Sequence, residues 1–416
     1  MEGRGSVNII VQKFGGTSLA APEAREQALI KIRQARQKDL MPVVVVSAMG
    51  RNGAPYATDT LKNLVAMEGT PTSQKNLDLL LSCGEIISAV VVSDLLEAAG
   101  HPAVALTGWQ AGIVTDDHFG EADILNIENE KLLGYLEQGI IPVVTGFQGI
   151  NARQEITTLG RGGSDTTAVA LGAALKAECV EIYTDVNGIM TADPRVVPQA
   201  CMLDEIHYDE IFQMADQGAK VIHPRAVEIA RQNGVTLRIR NTMSDHPGTL
   251  ICGRHQTFNT AYTTQREELL TAITQKDGLT RVVLVSQGDA ATESLFFDDL
   301  AAGGISIDMI NFSTDQKAFV IDNSSVSRFH QLMDSRPFTC ELFPQVSKVT
   351  IIGNRMTGIP GVMATVMRAL TDQGIPLLQS SDSHATISCL VPSSEAHRAV
   401  QALHQAFGLD RRKSNS

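Results

Sequence analysis

From Asn8 onward the chain alternates two textures. Short β-branched runs at Asn8–Gln12, Pro42–Val46, Ile141–Thr145, Val180–Thr184 and Val235–Ile239 read as strands covered on both faces, because they are continuously apolar rather than alternating. Between them, Ala21–Gln37, Asn76–Ala99, Ser164–Ala177 and Ala219–Asn233 read as helices. Strands alternating with helices predict an α/β fold with parallel strands in a three-layer αβα sheet. In such sheets ligands gather at the carboxyl ends of the strands, so chemistry is expected in the loops that follow these runs.

Past Arg254 the rhythm changes. Asp245–Gly248 forms a turn, Thr249–Cys252 a last short strand, and residues 256–267 are polar without a period, as in a linker. A βαββαβ pattern follows: Thr280–Val285, Ala291–Gly303, Ile305–Phe312, Lys317–Asp322, Val326–Ser335 and Phe338–Leu342. A second copy, Lys348–Ile352, Gly361–Gln373, Pro376–Gln379, Thr386–Val391 and Glu395–Phe407, stops one strand short. The stretch Glu268–Gln275 is expected to supply that strand, which would insert the first module into the second. The expected division is a catalytic part at 1–255, a linker at 256–267, one module at 280–343, and another at 268–275 plus 346–416.

Charge and composition narrow the partners. The 416 residues carry 34 basic and 46 acidic side chains, a net charge of −12, so no broad basic face is available for nucleic acid. One tryptophan and 5% aromatics speak against base-stacking surfaces as well. Any anionic ligand must then be met by a local pocket. No apolar signal region opens the chain, and the apolar runs are too short to cross a bilayer, so a cytoplasmic protein with no membrane partner is expected. Six scattered cysteines without a CxxC pair predict reduced thiols and no metal site.

Candidate chemistry lies at the strand exits. Gln12-Lys-Phe-Gly-Gly-Thr-Ser18 follows the first strand. Its two glycines let backbone N–H groups close on an anion and Lys13 adds a point charge, although a Gly-Gly pair can also be a plain turn. The segment matches neither GxxxxGK[ST] nor GxGxxG. In Thr158–Thr167, Gly162 and Gly163 free the backbone, Ser164 or Asp165 caps a helix, and the planar fork of Arg161 suits a carboxylate. In Tyr183–Arg195, Thr184 and Asp185 could meet a ribose or base and Arg195 a phosphate, while Asp-Val-Asn-Gly and Ala-Asp-Pro also make turns unaided. Ser82-Cys-Gly-Glu85, Ser47-Ala-Met-Gly50 and Gly218-Ala-Lys220 are weaker signals of the same kind.

Together KFGGTS, VVVVSAMG, LLSCGE, TLGRGGSDTTAVAL, TDVNGIMTADPR, GAKVIHPRAVEIA and PGTLI resemble, in family order across residues 7–252, the aspartate kinases of the amino-acid kinase family. The C-terminal repeat resembles the paired ACT modules of that family. The stretch Gln379–Val391 looks like single-function forms from spore-forming Gram-positive bacteria, some of them responsive to diaminopimelate.

The resemblance implies transfer of the ATP γ-phosphoryl group to the side-chain carboxylate of L-aspartate, with Mg2+ carried by phosphates and water. Lys13 carries over as the catalytic lysine, Asp165 as the residue that orients it, and Phe14, Gly15 and Gly16 as the backbone beside it. Arg161 would clamp the substrate α-carboxylate and Glu85 its ammonium. Ser47, Thr58, Gly162, Gly163 and Ser164 would line the same pocket. Thr184, Asp185, Met190, Arg195 and Lys220 match nucleotide-binding positions, with Met190 where tyrosine is frequent.

The ACT pair implies an amino-acid effector (lysine, threonine or meso-diaminopimelate) near Ser306, Asp308, Met309 and Gly361. It also implies a homodimer or higher homo-oligomer built through these modules. Two other readings stay open at this point: a kinase of glutamate, acetylglutamate, carbamate or UMP, and a silent amino-acid sensor. Retention of Lys13, Arg161, Asp165 and Lys220 disfavours the sensor.

Overall fold

The computed structural model describes residues 8–67, 69, 72–219, 221–253, 270–285, 290–313, 316–333, 339–353, 356 and 360–411. It separates into two units. The first takes Met1–Ile189, Met202–Ala215 and Lys220–Phe258, and the second takes Met190–Cys201, Asp216–Ala219 and Asn259–Ser416.

In the first unit the elements run β1 (Ile9–Phe14), α1 (Gly16–Ala20), α2 (Pro22–Gln37), β2 (Met41–Val46), α3 (Thr58–Met67), α4 (Gln74–Ala98), β3 (Ala103–Leu106), β4 (Ile113–Thr115) and β5 (Ile124–Ile127). They continue with α5 (Glu130–Glu137), β6 (Ile141–Thr145), β7 (Gln148–Ile150), β8 (Ile156–Thr158), α6 (Gly163–Ala174), β9 (Cys179–Thr184), β10 (Glu205–His207), α7 (Tyr208–Asp216), α8 (Pro224–Asn233), β11 (Leu237–Asn241) and β12 (Thr249–Cys252). Eight strands form one sheet in the order β10-β12-β11-β9-β1-β2-β6-β3, parallel except where β11 meets β12. Its central strands β1, β2, β6 and β9 are buried almost throughout, as continuous β-branched runs require.

Three features depart from the sequence reading. A second sheet, β5-β4-β7-β8, is made of strands of three or four residues, too short to show a period. Helix α8 begins at Pro224 rather than Ala219. Proline suits the first helical position and forces the preceding residue, His223 at φ −78° and ψ 137°, into extended backbone. Helix α4 is long and apolar enough to span a bilayer, against the expectation drawn from short runs. Half of its apolar stretch is nonetheless buried, and Ala89, Val92 and Leu96 enter the core with Phe14, Ile32, Val44, Val143 and Tyr183.

The second unit contains β13 (Leu270–Val285), α9 (Ala290–Ala302), β14 (Asp308–Phe312), β15 (Lys317–Asp322), α10 (Val326–Met333), β16 (Thr339–Gly353), α11 (Val362–Asp372), β17 (Gln379–Asp382), β18 (Thr386–Pro392) and α12 (Ala396–Ala406). They form a six-stranded sheet, β14-β15-β13-β16-β18-β17. Strands β13 and β16 are each continuous where the sequence suggested separate pieces. Residues 279–285 pair with 317–322 and 339–346, whereas 270–276 pair with 348–353. The register breaks between Lys276 and Arg281, and Leu279, Met309, Val320, Val346 and Leu390 form a shared core there. The penultimate strand lies at 379–382, later than the expected Pro376–Gln379, since Pro376 has no N–H for a ladder.

Segment 190–201 folds into this unit. Ala192 and Val197 join the core of α11 and α12, and Thr191 Oγ1 hydrogen-bonds the buried His404 imidazole at 2.9 Å. Segment 216–219 does the same: Gly218 sits so close to the Gln275 carbonyl that a Cβ would lie 2.4 Å away.

Candidate active site

Lys13 is the penultimate residue of strand β1, and its Nζ lies 2.6 Å from an Asp165 carboxylate oxygen, with both side chains about one-eighth exposed. Asp165 stands in the first turn of α6, where N–H groups have no intrahelical acceptor. That helix starts at Gly162, which caps it at φ 68° with its Cα pressed against the His223 ring. Arg225 then staples the glycine loop from outside, donating to the Leu159 and Ala122 carbonyls at 3.0 and 2.7 Å and pairing with Asp123 at 2.5 Å. Burial holds the His223 imidazole below its ordinary pKa, so the ring beside the loop is neutral at pH 7.

Gly15 and Gly16 bind the β1 exit to its neighbours. Gly15 N donates to the Tyr183 carbonyl at 3.2 Å, Ser47 N to the Phe14 carbonyl at 3.1 Å, and Gly50 N to the Gly16 carbonyl at 3.0 Å. A Cβ on Gly16 would lie 2.5 Å from the Ala48 oxygen and 2.6 Å from the Gly50 oxygen, and neither backbone group can swing aside. Gly16→Ala is therefore expected to cost about 1–3 kcal/mol of stability by overpacking. A lowered thermal midpoint with reduced kcat checks it. A wild-type melt would show that the two strand exits are not held in this contact.

The Ser47 loop, the start of α3 at Thr58 and the middle of α4 converge. A Cβ on Gly84 would fall 2.8 Å from the Ala48 side chain and 2.9 Å from the Tyr56 carbonyl. Next to it Glu85 is 2% exposed, and its Oε1 accepts from Ala48 N at 3.0 Å while Oε2 has no partner. Burial raises the Glu85 pKa to about 8, only partly offset by the Ala48 hydrogen bond. A carboxylate kept dry with one oxygen unmatched is prepared for a cation. Arg161 presents the opposite case, exposed and without an ion pair among the described residues.

Thr184 ends β9, adjacent to β1, and the following Asp185 pairs with Arg51 at 2.5 Å on the surface. Arg51 was not among the residues singled out from the sequence, where the candidate segment stopped at Ser47–Gly50. Phe14 turns its side chain into the core. Its side chain is fully buried and stacks on Tyr183 at 4.8 Å, so its work is to lock β1 against β9. Met190 and Arg195 belong to the second unit, where Arg195 is 86% exposed and held by Asp193 at 2.6 Å. Lys220 and the linker at 256–267 lie outside the described residues.

In the second unit Asp308 pairs with the buried Lys348, Met309 N donates to Asp308 Oδ1, and the Met309 carbonyl accepts from the Gln379 amide. Ser306 is exposed nearby in sequence, and Gly361 caps α11 at φ 95°, on a different element.

These features coincide with what known proteins show. A model of the amino acid kinase family matches residues 8–241, and an ACT domain model matches 343–405. Aspartokinase 1 of Bacillus subtilis (strain 168) is 41% identical over 406 residues, spanning 97% of this chain and all of its own. The chain belongs to the aspartokinases of the amino acid kinase family. Among solved aspartokinases, the R-state of E. coli aspartokinase III in complex with aspartate and ADP superposes with a TM-score of 0.77 at 27% identity, covering 96% of this chain and 99% of that one. Its T-state in complex with lysine and aspartate gives 0.73 at the same identity and coverage. In this aspartokinase the strand exits of β1, β2 and β9 and the first turn of α6 thus assemble where the fold family places its chemistry.

Proposed function

We propose that the chain phosphorylates the side-chain carboxylate of L-aspartate with ATP, and that the cluster around Lys13 performs the transfer. The observation that carries this reading is the Lys13–Asp165 ion pair at the β1 exit, set among Glu85, Ser47 and Arg161. The attacking carboxylate is ionised at neutral pH, so no general base is needed. The difficulty is bringing two anions together in line. A carboxylate oxygen forms the new bond to the γ-phosphorus as the bond to the bridging oxygen of ADP breaks. Lys13 stabilises the charge on the transferring group, and Asp165 holds the ammonium in place while leaving its other protons free. Gly15 and Gly16 lend backbone donors, Arg161 grips the α-carboxylate, Glu85 the ammonium, and Ser47, Thr58, Gly162, Gly163 and Ser164 line the cleft.

Thr184, Asp185, Met190, Arg195 and Lys220 serve the nucleotide. Mg2+ bound with the nucleotide would be held chiefly by phosphates and water, where it would neutralise phosphoryl charge. An assay with Mg-ATP, L-aspartate and hydroxylamine tests the reading: aspartyl hydroxamate should form, and glutamate should give none. Absence of the aspartyl product overturns it.

Glu85 gives this site a proton signature. Its pKa of about 8 in the empty pocket means it is mainly neutral at pH 7, and an arriving ammonium favours the carboxylate form. Aspartate binding at pH 7 should release about one proton, read as a calorimetric enthalpy that varies with buffer ionisation heat, and Glu85→Gln should abolish the variation. Apparent affinity should rise with pH and level off above about 8. The same shift makes the Glu85 contribution to stability full at low pH and lost as pH rises through about 8, because the folded state holds a proton that the unfolded state gives up.

The second unit is the regulatory part in this proposal. An amino acid (lysine, threonine or meso-diaminopimelate) binds near Ser306, Asp308, Met309 and Gly361. The edge strand β14, with Ile310 and Phe312 about half exposed, joins copies of the chain into a homo-oligomer. Ile189 and Met190 are consecutive, so whatever shifts segment 190–201 within this unit also pulls on the loop carrying Thr184 and Asp185. Adding each of the three amino acids to the assay identifies the effector.

A further inference from the structure

We infer that Gln148 is a specificity-determining residue of this enzyme, its side-chain oxygen accepting a hydrogen bond from the substrate ammonium beside Glu85. The inference rests on the aspartate-site reading above and adds to it a residue that the sequence motifs did not single out.

Gln148 opens β7 and is 1% exposed. Its Nε2 donates to the Ser82 carbonyl at 3.0 Å, which fixes the amide orientation, since only the nitrogen can face that acceptor. Its Oε1 is buried without a partner. An orphaned acceptor in the interior costs about 1–3 kcal/mol, so a native fold keeps one where a ligand completes it.

The donor is identified by position. A helix carbonyl points toward the following turn, and Ser82 precedes Glu85 by three residues on the same face of α4. The Gln148 amide therefore lies along the turn that carries Glu85, whose Oε2 is likewise buried without a partner. Two unmatched oxygens, one of a carboxyl group that ionises as a cation arrives and one of a neutral amide, suit a group with several N–H donors and one positive charge. A primary ammonium has both.

The backbone around Gln148 is held in place at a cost. Phe147 is at φ 70°, an uncommon conformation for an aromatic residue that costs on the order of 1–3 kcal/mol. Its N–H donates to Thr167 Oγ1 at 3.1 Å, and its carbonyl accepts from Leu159 N at 2.9 Å. The preceding Gly146 lies against Ser164, so the 146–148 turn runs from the start of α6, beside Arg161, to the Glu85 turn of α4. Gly108 closes the far side, where a Cβ would fall 2.0 Å from the Gln148 carbonyl oxygen.

The test compares aspartate with succinate, which has the two carboxylates and no ammonium. Gln148→Met, similar in shape and apolar, should raise the KM for aspartate about tenfold or more, the loss of one hydrogen bond to a charged group. The inhibition constant of succinate against aspartate and the KM for ATP should stay within twofold. Gln148→Asn, which withdraws the oxygen by one methylene, should act in the same direction and serves if the methionine variant fails to fold. An unchanged aspartate KM, or an equal rise for aspartate and succinate, overturns the inference. Glu85→Gln is the control for the underlying reading. If it raises the aspartate KM and Gln148→Met does not, only the role of Gln148 fails, and if neither does, the ammonium site itself is misplaced.

Discussion

Replacing Lys13 by alanine lowers kcat by about 10²-fold or more, with little change in the KM for aspartate. The lysine ammonium sits 2.6 Å from Asp165 in a site from which most water is excluded. A charge held this way needs no reorganisation as negative charge shifts onto the transferring group, and that preorganisation is what alanine removes. Steady-state rates of ADP release measure the effect. Near-normal turnover would show that another group neutralises the phosphoryl oxygens. Asp165→Asn should lie between the two, because it keeps the shape of the contact and weakens its hold on the ammonium.

Arg161 has the second largest effect, on binding rather than turnover. It is exposed, carries no ion pair among the described residues, and follows Gly160 in a loop whose backbone is stapled by Arg225. A guanidinium without a protein partner keeps its whole fork for a carboxylate. Arg161→Ala should raise the KM for aspartate about 10²-fold, as expected for losing two charge-assisted hydrogen bonds, and leave the KM for ATP near its wild-type value. Arg161→Lys should recover only part of this, since a point charge cannot bridge both oxygens. Equal losses for both substrates would mean that Arg161 supports the loop instead of gripping the amino acid.

The regions readable from sequence were those in which local pattern and tertiary role agree. The runs at Val43–Val46 and Val143–Val144 announce buried parallel strands because they are apolar on both faces. Glycines with a lysine or arginine after such a strand announce an anion site, because few other duties require that combination. Short strands such as Gln148–Ile150 went unread, since three residues show no period. That the Phe14 side chain belongs to the core was not legible, because a residue inside a binding motif can also pack between strands.

By itself the sequence determined the layered α/β half and the small C-terminal modules, and it nominated the lysine, glycine and arginine positions of the proposed site. Each of these rests on residues close together in the chain. Only the tertiary structure decided which groups lack partners. Glu85 Oε2 and Gln148 Oε1 are 63 positions apart; the sequence marked Glu85 only weakly and Gln148 not at all, and folding buried each with an unmatched oxygen. Folding also decided that segment 190–201, continuous with the nucleotide loop, packs into the core of the second unit. Burial and hydrogen-bond satisfaction depend on residues distant in sequence, so no local pattern could have carried either result.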